Sequence, residues 1–189
     1  MKHLMYLIAL LFLVACDSSH EIGKKIKEME SAPVTIDYLS MSCWINDSLI
    51  TEKPWESEKG MKLISFVDSS LCSECNIKKL AIWNDIIELE QQYKGFNVVF
   101  ILGVKEGMTS YISTQLHLSG ISHPIYLDET QSVLTKNPHI PQESMYHTFL
   151  LDEKNKVVMV GSPVESENIE KIMLKVLDSR LKKRKGSEQ

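Results

Sequence analysis

Two continuous apolar runs, with one amphipathic segment between them, constrain this chain more than any other feature. Residues 61–67, Met-Lys-Leu-Ile-Ser-Phe-Val, and 97–104, Asn-Val-Val-Phe-Ile-Leu-Gly-Val, are β-favouring and lack the alternation of a strand with one wet face. Such runs belong to strands covered on both sides. Between them Ile77, Leu80, Ala81, Trp83, Ile87 and Leu89 recur mostly at spacings of three and four, predicting a helix to about Tyr93 with Gly95 as its stop. Two buried strands joined by a helix make a parallel pair with a right-handed crossover.

The remaining pattern extends this core. A helical stretch over 108–118 ends near Gly120, a short strand is expected over 124–127, and a short helix over 130–136. Residues 148–151 and 157–161 flank Asp152-Glu-Lys-Asn-Lys156, a polar turn that predicts an antiparallel hairpin. A last amphipathic helix runs over 165–181 with Ile169, Ile172, Met173, Val176, Leu177 and Leu181 on one side. Upstream, the apolar stretches 34–39 and 43–50 predict an N-terminal strand or hairpin. With 189 residues, 43% of them hydrophobic, the chain suffices for one core and its appendages. Its net charge of −4 offers no general attraction to phosphate, which argues against a nucleic-acid partner. The basic run 182–185 is expected to meet the negative end of the last helix and solvate the tail, with contact to anionic lipid as the alternative.

The N-terminus reads as a targeting segment. Lys2 and His3 precede an apolar stretch over 4–14, which closes as Leu13-Val14-Ala15-Cys16. About eleven apolar residues are too few to span a bilayer comfortably, and a small residue stands just before a cysteine. The pattern resembles a bacterial lipobox. That resemblance implies cleavage before Cys16, lipidation of Cys16 and a protein held on the outer side of a membrane, on the periplasmic side. An uncleaved anchor, or a secreted chain in which Cys16 pairs with another cysteine, is the alternative. Residues 17–32 are polar and charged and are expected to form a flexible or weakly helical tether. The expected organisation is a signal peptide over 1–15, the lipidated cysteine, tether and N-terminal strand extension over 16–58, the main domain over 59–182, and a basic tail over 183–189.

Three cysteines then remain, Cys43, Cys72 and Cys75. Cys72-Ser-Glu-Cys75 follows a buried strand and opens a helix, where unpaired N–H groups and the positive dipole end favour a thiolate. Cys72, at the helix mouth, is the expected nucleophile; Cys75, three residues on, is within reach to resolve a mixed disulfide. Cys43, beside Trp44 in an apolar run, is expected to be a buried small hydrophobe rather than a third redox thiol.

From Lys62 to Leu177 the chain resembles the thioredoxin superfamily, and more closely the TlpA-type bacterial thioredoxin-like lipoproteins. The resemblance rests on Ser65-Phe-Val-Asp-Ser-Ser-Leu-Cys-Ser-Glu-Cys75, on Trp83 in the following helix, and on Tyr146-His-Thr-Phe-Leu-Leu-Asp152 leading to Lys156-Val-Val-Met-Val-Gly161. It implies an α/β thioredoxin-like fold: a mixed central sheet flanked by helices, here with an N-terminal strand or hairpin extension. It also implies disulfide exchange with protein clients, no cofactor beyond the redox-active disulfide, and a membrane electron donor.

Two positions depart from the family. Leu71 replaces the aromatic residue usual before the first cysteine, and the family's cis-proline corresponds to Tyr146 or His147. A cis bond at a non-proline residue costs about 3 kcal/mol, so this loop is expected to be trans and differently shaped. Glu74 places negative charge beside both thiols and opposes the dipole, which predicts a reductant or isomerase rather than a strong oxidant. Asp68 is either a proton acceptor or a turn former. His147 with Cys72 and Cys75 would make a soft site for copper, as in Sco-type chaperones, although those have three residues between their cysteines. A redox-silent interaction module is the third reading. His117, His123 and His139 are expected to be structural or solvated, and Trp83 to belong to the core.

Overall fold

The computed structural model describes residues 20–51, 60–70 and 77–184. Seven strands form a single mixed sheet: β1 Ser42–Ile45, β2 Ser48–Ile50, β3 Met61–Val67, β4 Phe96–Gly103, β5 Ile125–Asp128, β6 Thr148–Leu151 and β7 Val157–Val160. Their order across the sheet is β2-β1-β5-β4-β3-β6-β7. β4 lies at the centre and every one of its eight residues is buried, as its unbroken apolar sequence requires. β3 and β5 run parallel to it, while β1 and β6 are antiparallel to β5 and β3. This is the α/β sheet with an N-terminal hairpin that the sequence predicts.

The helices divide between the two faces. α1 occupies residues 20–29; α2 is Asn84–Gln92, α3 Thr109–Ser119, α4 Ser132–Lys136 and α5 Glu167–Arg180. One core joins Leu63, Val98, Phe100 and Leu102 to Trp83, Ile86, Ile112, Leu116, Met173 and Leu177. The other joins Ile64, Phe66, Val99 and Ile101 to Met29, Val34, Tyr126, Val133, Tyr146 and Phe149. The alternation of partners along β3 and β4 is the two-residue period of a strand covered on both sides. α3 ends at Gly120, whose φ of 70° is the left-handed conformation glycine adopts without strain.

Four segments differ from the sequence reading. Residues 20–29, expected within a flexible or weakly helical tether, form a helix that is docked rather than free, with Met29 fully buried in the second core; their polar composition hid one anchoring side chain. The stretch 34–39 is no strand, and Tyr38–Ser40 is a 3-10 turn capped by the Asp37 side chain. The helix after the cysteine segment is broken: residues 77–79 are helical, Leu80–Trp83 form a 3-10 turn, and α2 begins only at Asn84. The basic end is not wholly solvated. Arg184 N–H donates to Gln92 O at 2.8 Å, and Lys183 sits 3.2 Å from Asp178 and over the Tyr93 ring. Among the described residues no helix is long and apolar enough to cross a membrane.

Candidate functional site

The carboxyl end of β3 faces a groove of about 360 Å³. Ser65, Phe66 and Val67 form one wall, Leu80 and Trp83 another, and Ser144, Met145 and Val164 close it from the loops on either side of the β6–β7 hairpin. Trp83 is only 6% exposed and packs edge-on against Phe100, with ring centroids 5.2 Å apart at 89°. It belongs to the core, as expected, and shows the groove one edge. Ile82 and Met145, by contrast, are 57% and 59% exposed. Parallel sheets bind ligands beyond the carboxyl ends of their strands, where successive loops diverge.

Cys72, Cys75, Glu74 and Leu71 lie outside the described residues, as does Cys16. The segment that carries the cysteine pair connects Ser70 to Ile77, so its two ends are placed: Val67 at one side and Leu80 at the other both line the groove. Asp68 begins this connection. Its Oδ1 accepts the Ser70 N–H at 2.8 Å, the turn-forming role. Burial pushes its carboxyl up, but hydrogen bonds from Ser70 and Ser69 and the nearby His147 ring outweigh this and hold it below the usual range.

His147 is 2% exposed. Its Nε2–H donates to Pro141 O at 3.0 Å, which leaves Nδ1 the bare acceptor, buried and without a hydrogen-bond partner. Burial lowers its pKa, against the opposing pull of the Pro141 carbonyl, Asp68 and Glu143. Tyr146 is also buried, within the 3-10 turn Ser144–Tyr146, and no described peptide bond is cis. The loop is therefore trans, as predicted. Neither Tyr146 nor His147 lines the groove; Ser144 and Met145 do. Cys43 is fully buried in the second core, opposite Tyr126 and Ile50 in the sheet. His123 is buried against Phe100, and His117 stands at the surface 3.5 Å from Asp47.

Sequence reasoning missed Ile82, Met145 and Val164. Ile82 did leave a signal, an apolar residue off the helix stripe. Met145 left none, since a methionine in a polar loop reads the same whether it faces solvent or a groove.

A crystal structure from Chlorobium tepidum, under the name thiol:disulfide interchange protein DsbE, superposes with a TM-score of 0.50 at 18% identity, covering 72% of this chain and 92% of its own. The fold is thioredoxin-like. A solution structure from Bacteroides thetaiotaomicron named for protein disulfide isomerase gives 0.47 at 16% identity, over 80% of this chain and 94% of that one. A mutant of Xylella fastidiosa PrxQ gives 0.45 at 14%, over 78% and 91%. No protein-family model matches the sequence, and no curated protein does. The β1–β2 hairpin extends the sheet at its β5 edge.

Proposed function

We propose that this protein is a membrane-tethered thiol-disulfide oxidoreductase that exchanges disulfides with extracytoplasmic protein clients through Cys72 and Cys75. One observation carries the reading. The sequence's single pair of closely spaced cysteines falls in the connection between the carboxyl end of β3 and the helical residues 77–79, on a thioredoxin-like fold, and Val67 before that connection and Leu80 after it line an open groove. In the reducing direction the Cys72 thiolate attacks a client disulfide, the client's S–S bond breaks and one client thiolate leaves. Cys75, deprotonated, then attacks the Cys72 sulfur and releases the second client thiol. The enzyme keeps the disulfide, and a membrane-held dithiol donor returns two electrons and two protons. Lipid on Cys16 supplies the anchor.

The test is a trapping experiment. A Cys75→Ser variant should accumulate mixed disulfides with clients that vanish on reduction, and Cys72→Ser should abolish them. Alkylation of the wild type before and after reduction should differ by two thiols. Absence of both the trapped species and the alkylation shift would overturn the reading.

A further inference from the structure

Outside the groove, α1 is the helix that stands between the groove loop and the proposed anchor. Its second half is fixed to the domain. Met29 is fully buried in the second core, with Ile26 packed beside it. The chain is then pinned again: Val34 N–H donates to Asn155 O at 2.8 Å, and Asn137 Oδ1 accepts the Thr35 N–H at 2.7 Å. One turn before Met29, Lys25 pairs with Glu143 and lies over the Tyr146 ring, 5.7 Å from its centroid. Glu143 and Tyr146 bracket Ser144 and Met145, the two residues of this loop that line the groove. The helix nearest the anchor is therefore seated on the groove's own rim.

The chain length left over is short. His20 follows Cys16 by four positions, at most about 14 Å of extended chain. The helix from His20 to Lys25 adds about 7.5 Å, and a lysine side chain about 6 Å. The rim at Glu143 thus stands within roughly 30 Å of the lipidated residue, in a domain about 40 Å across. We propose, on the reading above that Cys16 is lipidated, that docked α1 turns the groove toward the membrane. Its partner is then a disulfide of a protein held at the same membrane surface, not one diffusing freely. A loose tether over 17–32 would set no such direction.

The experiment uses the full lipidated chain in phosphatidylcholine vesicles doped with an acceptor-labelled phosphatidylethanolamine. A fluorescent donor residue replaces either Met145, on the groove, or Leu118. Leu118 is 72% exposed near the end of α3, which packs on the opposite face of the sheet and runs back to the amino ends of the parallel strands. Energy transfer from position 145 should exceed that from 118 by at least about twofold, because the two differ in height by a large part of the domain diameter. Inserting a Gly/Ser stretch of about twenty residues after Ser19 should remove the difference, since such a linker is a flexible coil. A disulfide peptide on a short lipid spacer should be reduced faster by the native chain than by the inserted one, and the same peptide free in solution equally by both. Equal transfer from the two positions, in lipidated chains whose unlabelled parent is redox-active, overturns the orientation alone. A mature chain whose intact mass shows no lipid overturns the anchor and the orientation together, while the alkylation and trapping tests still decide the redox reading.

Discussion

Phe66 and His147 hold each other through both main chain and side chain: the Phe66 N–H donates to the His147 carbonyl at 2.9 Å, and their rings lie 5.0 Å apart at 45°. The pair extends the β3–β6 ladder past Ser65 and Thr148, its last register partners. It thereby ties the strand that leads to the cysteine segment to the loop that carries Met145. The imidazole is buried on that joint with one nitrogen bonded and one bare.

Stability should therefore depend on pH through this residue. Burial holds the folded pKa below the ordinary 6.5, while the unfolded chain takes up its proton near that value. Stability from the neutral ring is complete above about pH 6.5 and falls as pH drops below it, because the unfolded state then binds more protons. Asp68 and Glu143, the carboxylates facing the ring, limit the fall. His147→Gln keeps a donor for Pro141 O and cannot titrate. Urea midpoints at about pH 7.5 and about pH 5.0 should separate more for the wild type than for this variant. An equal separation would mean the ring does not titrate as its burial implies.

Asn137 is the second joint. It is 1% exposed; its side chain accepts from Thr35 N–H and donates to Thr35 O at 2.8 Å and Val133 O at 2.7 Å. Removing it leaves several buried polar groups unmatched. Asn137→Ala should cost about 2–4 kcal/mol in chemical denaturation, and hydrogen exchange should quicken first over residues 20–36. A loss under about 1 kcal/mol would show that solvent replaces the clamp.

Why the docking of α1 escaped the sequence reading while the burial of β3 and β4 did not is a matter of how much each element buries. β4 buries every residue, so its sequence can hardly be anything but apolar. α1 is held by Met29, the partly buried Ile26 and the pairing of Lys25 with distant Glu143, and the chain just after it by Thr35 on Asn137; partners about 100 residues away leave no local pattern. The site divides in the same manner. The cysteine pair is legible because its spacing is local, and Asp68 reads as a turn former for the same reason. Met145 and Val164 become groove residues only when two loops meet. The broken start of α2 was likewise invisible, since a 3-10 turn and an α-helix bury nearly the same positions over one turn.

Gly103 closes β4 where it meets the start of the cysteine connection. A Cβ there would stand 2.7 Å from Ser69 N and 2.9 Å from Val67 O, both main-chain atoms that cannot swing aside. Gly103→Ala must push β3's end and the Asp68 turn away from β4. Overpacking of this kind costs about 1–3 kcal/mol. The informative readout is activity: disulfide exchange should slow at temperatures where circular dichroism still shows a folded variant, because the displaced residues lead into 71–76. Full activity in a folded variant would place the reacting groups elsewhere.

On the proposed redox reading, Glu74 should set the direction in which the cysteine pair drives electrons. A carboxylate between two thiols opposes ionisation of both and so destabilises the reduced, thiolate-bearing form relative to a neutral insert. The most oxidising enzymes of this chemistry, near about −120 mV, owe that potential to a stabilised reduced form. This protein should equilibrate with glutathione at a distinctly more negative potential, on the side of reductants and isomerases. Glu74→Gln should lower the thiol pKa read from the pH dependence of alkylation and move the potential upward, by about 30 mV for each 1.4 kcal/mol of thiolate stabilisation gained. The two shifts must travel together. A wild-type potential near about −120 mV, or a Gln variant that becomes more reducing, would show that the carboxylate does not govern the pair.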